Sequence, residues 1–228
     1  ALAFTATASD DDGDPLAFNL VDAPEGAAIT SGGAFSWTPT EAQGPGNYDF
    51  TVKVCDNATP ALCDEETISV TVNEVNVAPV LTAVGNKSVN ELVELAFTAS
   101  ATDADLPANT LAFSLVDAPE GAAITSGGAF SWTPTEAQGP GNYDFTVKVC
   151  DNATPALCDQ ETISVTVNEV NVAPTANGQS VATDEDTSVG ITLTGSDADL
   201  PANVLNYAIA TGPTNGTLSG SAPDLTYT

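Results

Sequence analysis

Residues Leu16 to Pro79 recur at a fixed offset of 95 as Leu111 to Pro174, with differences only at Asn19/Ser114 and Glu65/Gln160. A chain repeated this closely cannot spread one core over its whole length. Each copy must close its own small core, or stack on its neighbours as a repeat array does. The segments just before also align, Leu2 to Asp12 with Leu95 to Asp105 at an offset of 93, so that loop is two residues shorter in the first copy. A third, diverged copy starts after Pro174. The expected division is 1–78, 79–173 and 174–228, with only the second module whole. The first lacks its opening strand, the third its last part, and the chain reads as a section of a longer protein. The joining stretch VTVNEVNVAP stands at Val70 to Pro79 and again at Val165 to Pro174. Its first half alternates Val with Thr and Asn, the period of a half-buried strand. Pro79 and Pro174 then interrupt the ladder, because proline lacks an amide donor. Between strand and proline lie a carboxylate and an amide, Glu74 with Asn76 and Glu169 with Asn171, in a position to bind something.

The middle module shows the period best. Tyr143, Phe145, Val147 and Val149 alternate with Asp144, Thr146, Lys148 and Cys150. Further strands are predicted near Lys87 to Asn90, Leu95 to Ala99, Leu111 to Leu115, Ala122 to Ile124, Phe130 to Trp132 and Ile163 to Val167. The turn signals DAPEG, TSGG, EAQGPG and DNATP separate them. No window carries helical periodicity. Seven short strands, each with one apolar face, predict an all-β chain of tandem seven-stranded Greek-key sandwiches in a linear array. Trp37 and Trp132 alternate with Phe35 and Phe130, which places them in the core rather than on a sugar-stacking surface.

Charge narrows the partners. Thirty-one acidic residues face three lysines, with no arginine and no histidine. Nothing can neutralise phosphate, so nucleic acid is not expected as a partner, and an anionic membrane surface is disfavoured in the same way. No apolar run is long enough to span a bilayer. The acidity reads either as solvation in salty surroundings or as carboxylates that hold divalent cations. The cysteines form two equivalent pairs, Cys55 with Cys63 and Cys150 with Cys158, in the frame CDNATPALC. Each frame joins two predicted strand ends, within disulfide reach. Zinc competes poorly, for lack of histidine and of the close ligand pairing it uses. Disulfides imply an oxidising compartment, extracellular or periplasmic, and an extracellular or cell-surface location is expected.

Three loops share D-x-D: Asp10 with Asp12, Asp103 with Asp105, and Asp197 with Asp199. In the last two the run is DADLPAN, which adds Asn109 and Asn203. Clustered carboxylates repel unless solvent spreads them in a polar turn or a cation collects them, and calcium takes six to eight oxygens. An EF-hand is excluded, because the twelfth position is Val21 counted from Asp10 and Ser114 counted from Asp103. No histidine base, activated nucleophile or phosphate loop suggests an enzyme.

The order of these motifs resembles the cadherin repeat. It comprises a glutamate in the first strand, D-A-D-x-x-x-N after the second, T-P-T-E, V-x-V-x-D before A-T-P-A-L, and E-V-N-x-x-P at the close. It is most similar to the bacterial cadherin-like and dystroglycan-type repeats of large surface adhesins. The resemblance implies Ig/cadherin-like sandwiches with calcium held between consecutive modules. The first junction would use Glu41, Glu74 and Asn76 with Asp103, Asp105, Asn109 and Asp151. The second would use Glu91, Glu136, Glu169 and Asn171 with Asp197, Asp199 and Asn203. Asp10, Asp12 and Asp56 would face a preceding module. Val77-Ala78 and Val172-Ala173 replace an acidic pair usual at the end of the family's linker, which lowers the expected number of ions to one or two per junction. The resemblance therefore implies a calcium-stiffened, non-enzymatic stalk or fibre segment whose partners are its own neighbouring repeats. A module that binds surface glycans or other copies of the chain is the alternative.

Overall fold

A computed structural model describes residues 1–228 and contains only strands and two single-turn 3-10 helices, Glu41–Gln43 and Glu136–Gln138. The first repeat supplies β1 (Leu2–Thr5), β2 (Ala17–Val21), β3 (Ala28–Ile29), β4 (Ala34–Trp37), β5 (Gly46–Cys55) and β6 (Cys63–Val72). The second supplies β7 (Val80–Leu81), β8 (Lys87–Asn90), β9 (Leu95–Thr98), β10 (Ala101–Thr102), β11 (Ala112–Val116), β12 (Ala123–Ile124), β13 (Ala129–Trp132), β14 (Gly141–Cys150) and β15 (Cys158–Asn168). The third adds β16 (Thr175–Ala176), β17 (Val189–Thr192), β18 (Gly195–Ser196), β19 (Leu218–Ser221) and β20 (Asp224–Tyr227). The chain forms two compact units. One is Ala1–Leu81 with Ala101–Ala112 and Val149–Asp159; the other is Thr82–Ser100 with Phe113–Lys148 and Gln160–Thr228.

In the first unit, sheet β1-β4-β3 lies over sheet β2-β5-β6. The alternation in each strand sends every second side chain inward, and Phe35, Trp37, Phe50 and Val52 are buried between the sheets. Phe4 and Phe35 stack at 4.5 Å, and Trp37 meets Tyr48 edge-on at 5.1 Å. The indole nitrogen of Trp37 donates to the Glu25 carbonyl at 3.2 Å, so its one polar atom is satisfied inside the core. Burying Trp37 and Phe50 is worth about 2–3 kcal/mol each in transfer terms. A disulfide joins Cys55 to Cys63, which are also ladder partners, and the second joins Cys150 to Cys158.

The second unit repeats the same packing, with Phe97, Phe130 and Phe145 stacked at 4.5 and 5.6 Å and Trp132 edge-on to Tyr143 at 5.2 Å. The second repeat has nine strands rather than the predicted seven, because its first strand divides into β7 and β8 and the short β10 forms to pair with β7. Val84 and Gly85 turn their amides out of the ladder, onto the Glu161 carboxylate at 2.6 and 3.0 Å. Gly85 permits this with a φ of +67°. Beyond the break β8 runs parallel to β15, while before it β7 pairs antiparallel with β10. In the third repeat, Val204 to Ile209 alternate as a strand would but join no ladder.

Candidate metal centres

Each linker leaves the last long strand of its repeat carrying a glutamate. In the first, carboxylate oxygens of Glu41, Glu74 and Asp105 lie within 4.8 Å of one another. Glu41 comes from the 3-10 turn, Glu74 from the linker after β6, and Asp105 from the loop after β10. Backbone amides fix the arrangement. Val77 donates to Asp105 Oδ1 at 3.0 Å, and Leu106 donates to Glu41 Oε1 at 3.1 Å. The position of the missing acidic linker residue therefore contributes through its main chain. Asp105 is 1 % exposed. Asn109 Nδ2 donates to Asn76 Oδ1 at 3.0 Å and to Asp105 Oδ2 at 2.5 Å, and Asn76 Nδ2 donates to Asp151 Oδ2 at 2.9 Å. Asp103 Oδ1 accepts the Asp105 amide at 3.0 Å, and its other oxygen is buried without a partner.

The second linker keeps the backbone contacts but changes the carboxylates, which here all come from the second repeat and its own linker. Glu91, Glu136 and Glu169 bring carboxylate oxygens within 4.8 Å of one another. Val172 donates to Asp199 Oδ1 at 2.8 Å, and Leu200 to Glu136 Oε1 at 3.1 Å. Asn203 Nδ2 donates to Asn171 Oδ1 at 3.1 Å and Asp199 Oδ2 at 2.8 Å, while Asp197 Oδ1 accepts the Asp199 amide at 3.0 Å. Glu91, at the end of β8, is 1 % exposed. Its Oε1 accepts the Val170 amide at 2.8 Å, but its Oε2 is buried and unpartnered, as are both carboxylate oxygens of Glu169. Gly139 makes room for it, since a Cβ there would stand 2.0 Å from Glu91 Oε2. Asp10, Asp12 and Asp56 belong to neither cluster. They line a surface cavity of about 500 Å³, where Asp10 Oδ1 accepts the Asp12 and Asp14 amides at 2.9 and 3.1 Å.

The electrostatics follow from this crowding. Loss of solvent around its carboxylate, then the charges of Glu41 and Asp105, push the Glu74 carboxyl above its usual range. Desolvation, then Glu91, Glu136 and Asp199, push Glu169 up likewise. Asp151 moves the other way. Desolvation alone would raise it, but hydrogen bonds from Asn76 and from the Leu157 and Ala153 amides together hold it below its usual range. A buried carboxylate oxygen without a donor is costly unless a cation faces it. The donors are all oxygens, the set a hard cation takes. Oxygens on opposite sides of an ion, at about 2.4 Å each, stand about 4.8 Å apart. The acidic clusters are thus consistent with a shared cation; in the first, Asp105 is buried while Glu41 and Glu74 are exposed.

Sequence reasoning did not find three features of these sites. Asp159 and Glu161 anchor the start of the second repeat, taking the amides of Leu81 at 2.8 Å and of Val84 and Gly85. The signal, D-x-E at the entry of β15, looks like any polar strand edge. Asn152 Oδ1 accepts the Thr110 amide at 2.8 Å, a contact no motif marks. Gly139 is the third.

Residues 1–73 match the family described as "Bacterial Ig domain", and residues 78–168 that described as "Putative Ig domain". A stretch of Chitinase A from Pseudoalteromonas piscicida is 37 % identical over 132 residues, 56 % of this chain and 13 % of that protein. A stretch of human Protocadherin Fat 1 is 29 % identical over 136 residues, 54 % of this chain and 3 % of that protein. The chain thus spans a small fraction of these relatives. Among solved structures, human CDH23 EC21-23 superposes with a TM-score of 0.55 at 19 % identity, over 96 % of this chain and 85 % of that one. The fold is therefore all-β, a tandem of Ig-like sandwiches of the kind found in cadherin extracellular repeats.

Proposed function

We propose that this tandem of Ig-like, cadherin-like repeats is a calcium-binding structural segment of a secreted or cell-surface protein, the extender of an adhesin or fibre. The observation that carries the reading is the pair Glu91 and Glu169, whose three unpartnered carboxylate oxygens are buried beside one another. An ion there supplies the positive charge that lets these carboxylates stay ionised without solvent. The chain's own groups do the rest. Glu41 with Glu74, and Glu136 with Glu169, bring the base of one repeat and its linker to the loop of the next, and the Val77 and Val172 amides align that loop. Without an ion, like charges in each cluster repel and the linker is free to bend. An ion at the first cluster, which joins Glu41 and Glu74 to Asp105 of the next repeat, gives both sides of that linker one centre and stiffens it. At the second, an ion fixes Glu91, Glu136 and Glu169, and the third repeat is tied to them through the Leu200 amide on Glu136. The disulfides suit an oxidising compartment.

Thermal melting of the whole chain in chelator, calcium and magnesium tests this. Calcium at a hundred times its Kd adds about 2.7 kcal/mol, and magnesium is expected to fall short because it resists dehydration. The rise should shrink when Glu91 and Glu169 become glutamine, and disappear when Glu41 and Glu74 are changed as well. A melting temperature indifferent to calcium overturns the reading.

The likeness to part of a chitinase favours a second reading, a glycan-binding module. Sugar recognition calls for aromatic faces in solvent, yet every ring in this chain is buried or partly buried, and the large exposed apolar side chains are Val, Leu and Ile. Retention on insoluble chitin, undiminished by competing protein, would favour this alternative.

A further inference from the structure

We propose that the loop closed by Cys150 and Cys158 is a metal-independent latch on the linker after β6, and that its disulfide holds the latch in shape. The frame CDNATPALC occurs twice, so one sequence can be compared in two settings. In both loops the aspartate Oδ1 gathers the turn, and at Asp151 the Leu157 amide also reaches Oδ2 at 3.2 Å. Asp56 Oδ1 accepts the Ala58 and Leu62 amides at 3.1 and 2.9 Å. Asp151 Oδ1 accepts the Ala153 and Leu157 amides at 3.1 and 3.0 Å.

The two loops part at their remaining acceptors. Asp151 Oδ2 takes the Asn76 side-chain amide at 2.9 Å, and the Pro155 carbonyl takes the same amide at 3.3 Å. Asn152 Oδ1 takes the Thr110 amide at 2.8 Å. A single amide can satisfy Asp151 and Pro155 together only while the loop is folded back on itself. The disulfide enforces that, by removing extended states of a short loop. Asn76 Oδ1 then accepts from Asn109, which also holds Asp105. The latch thus reaches the carboxylate cluster through a line of hydrogen bonds, and every member is a group of the chain itself. It does not rest on the calcium reading.

Cys158 is exposed, so a dithiol reductant can open the latch by exchange. The two cysteine sulfurs take up two electrons and two protons as thiols, and the reductant closes into its own disulfide.

Amide hydrogen exchange, followed by NMR on the full chain in chelator, tests this. With Cys150→Ser and Cys158→Ser together, the Val77 and Thr110 amides should exchange roughly tenfold faster, the loss expected for a linking hydrogen bond. The matching pair Cys55→Ser and Cys63→Ser should leave both at the parent rate. Asn76→Ala should speed Val77 as the Cys150/Cys158 pair does, and adding it to that pair should speed Val77 no further. Reduced parent protein should behave like the Cys150/Cys158 variant. Equal acceleration by both cysteine pairs overturns the latch, as does multiplication of the Asn76 and disulfide effects. Should the Cys150/Cys158 variant fail to fold, an unchanged Val77 rate in Asn76→Ala overturns it alone. With calcium absent throughout, failure of the calcium reading leaves these outcomes intact.

Discussion

Gly139 and Gly44 occupy the same place in identical stretches, EAQGPGNYDF, yet their surroundings differ. Both have ordinary extended backbone, with φ of −107° and −113°, so only space distinguishes them. A Cβ on Gly139 would meet Glu91 Oε2 at 2.0 Å and Glu91 Cβ at 3.1 Å. On Gly44 it would meet Val72 Cγ1 at 3.4 Å and Glu74 Oε2 at 3.8 Å, normal contact distances. Glu91 is 1 % exposed, with its Oε1 tied to the Val170 amide, so it cannot swing aside without losing that bond. Gly139→Ala should therefore cost about 1–3 kcal/mol, as overpacking of a tight site does, whereas Gly44→Ala should stay within about 0.5 kcal/mol. Urea unfolding in chelator measures both. Repeating it with calcium should show a smaller calcium increment for Gly139→Ala than for the parent. Equal costs at the two glycines would mean that Glu91 is free to move and is no fixed ligand.

The linkers leaving β6 and β15 each carry one of the two carboxyls that crowding pushes up, Glu74 and Glu169. Their ordinary value is 4.5. With folded values above it, the folded chain keeps protons that the unfolded chain releases. The stability they give is complete below 4.5 and is lost as pH rises through their folded values. Asp151 acts in the opposite sense. Its folded value lies below the ordinary 3.8, so its contribution is present above 3.8 and lost as pH falls through the lower value. Metal-free melting temperature should crest at about pH 4–5 and decline toward neutrality. Calcium, which competes with those protons, should remove the decline, and Glu74→Gln with Glu169→Gln should flatten it without calcium. A metal-free curve that climbs steadily to pH 7 would show that these carboxylates are not crowded in solution. The strands themselves were legible in the sequence, because inward and outward positions alternate visibly in NYDFTVKVC. The division of the opening strand was not, because its cause is Glu161, seventy-six residues from the Gly85 amide it accepts. The clusters were half legible. Repetition and resemblance pointed to Glu74, Glu91, Glu136 and Glu169, but only packing reveals which of their oxygens lack a partner.

Net charge is −28, and the lysines do little to offset it. Lys53 pairs with Glu65 at 2.6 Å on the surface, where such a pair is worth at most about 1 kcal/mol. Lys87 turns its ammonium onto the Val84 and Gly85 carbonyls and over the Phe97 ring, so it neutralises no carboxylate. Two kinds of cation response can therefore be told apart. Diffuse self-repulsion is screened by any salt, with a Debye length of about 8 Å at 0.15 M ionic strength. Buried carboxylate oxygens close to one another, as in Glu91 and Glu169, are screened poorly and respond to an ion that enters the cluster. Small-angle scattering of the whole chain separates the two. In chelator the radius of gyration should drift with sodium chloride, as repulsion is screened and linkers bend. In millimolar calcium it should settle at one value that sodium chloride no longer moves, reached at a small fixed number of ions per chain. Sodium chloride at matched ionic strength should not reproduce that plateau. If it does, the acidic residues work as a solvating coat and the stiffening role falls. If calcium fixes the radius in the parent but not in a chain carrying Glu41→Gln, Glu74→Gln, Glu91→Gln and Glu169→Gln, the stiffness resides in the linkers.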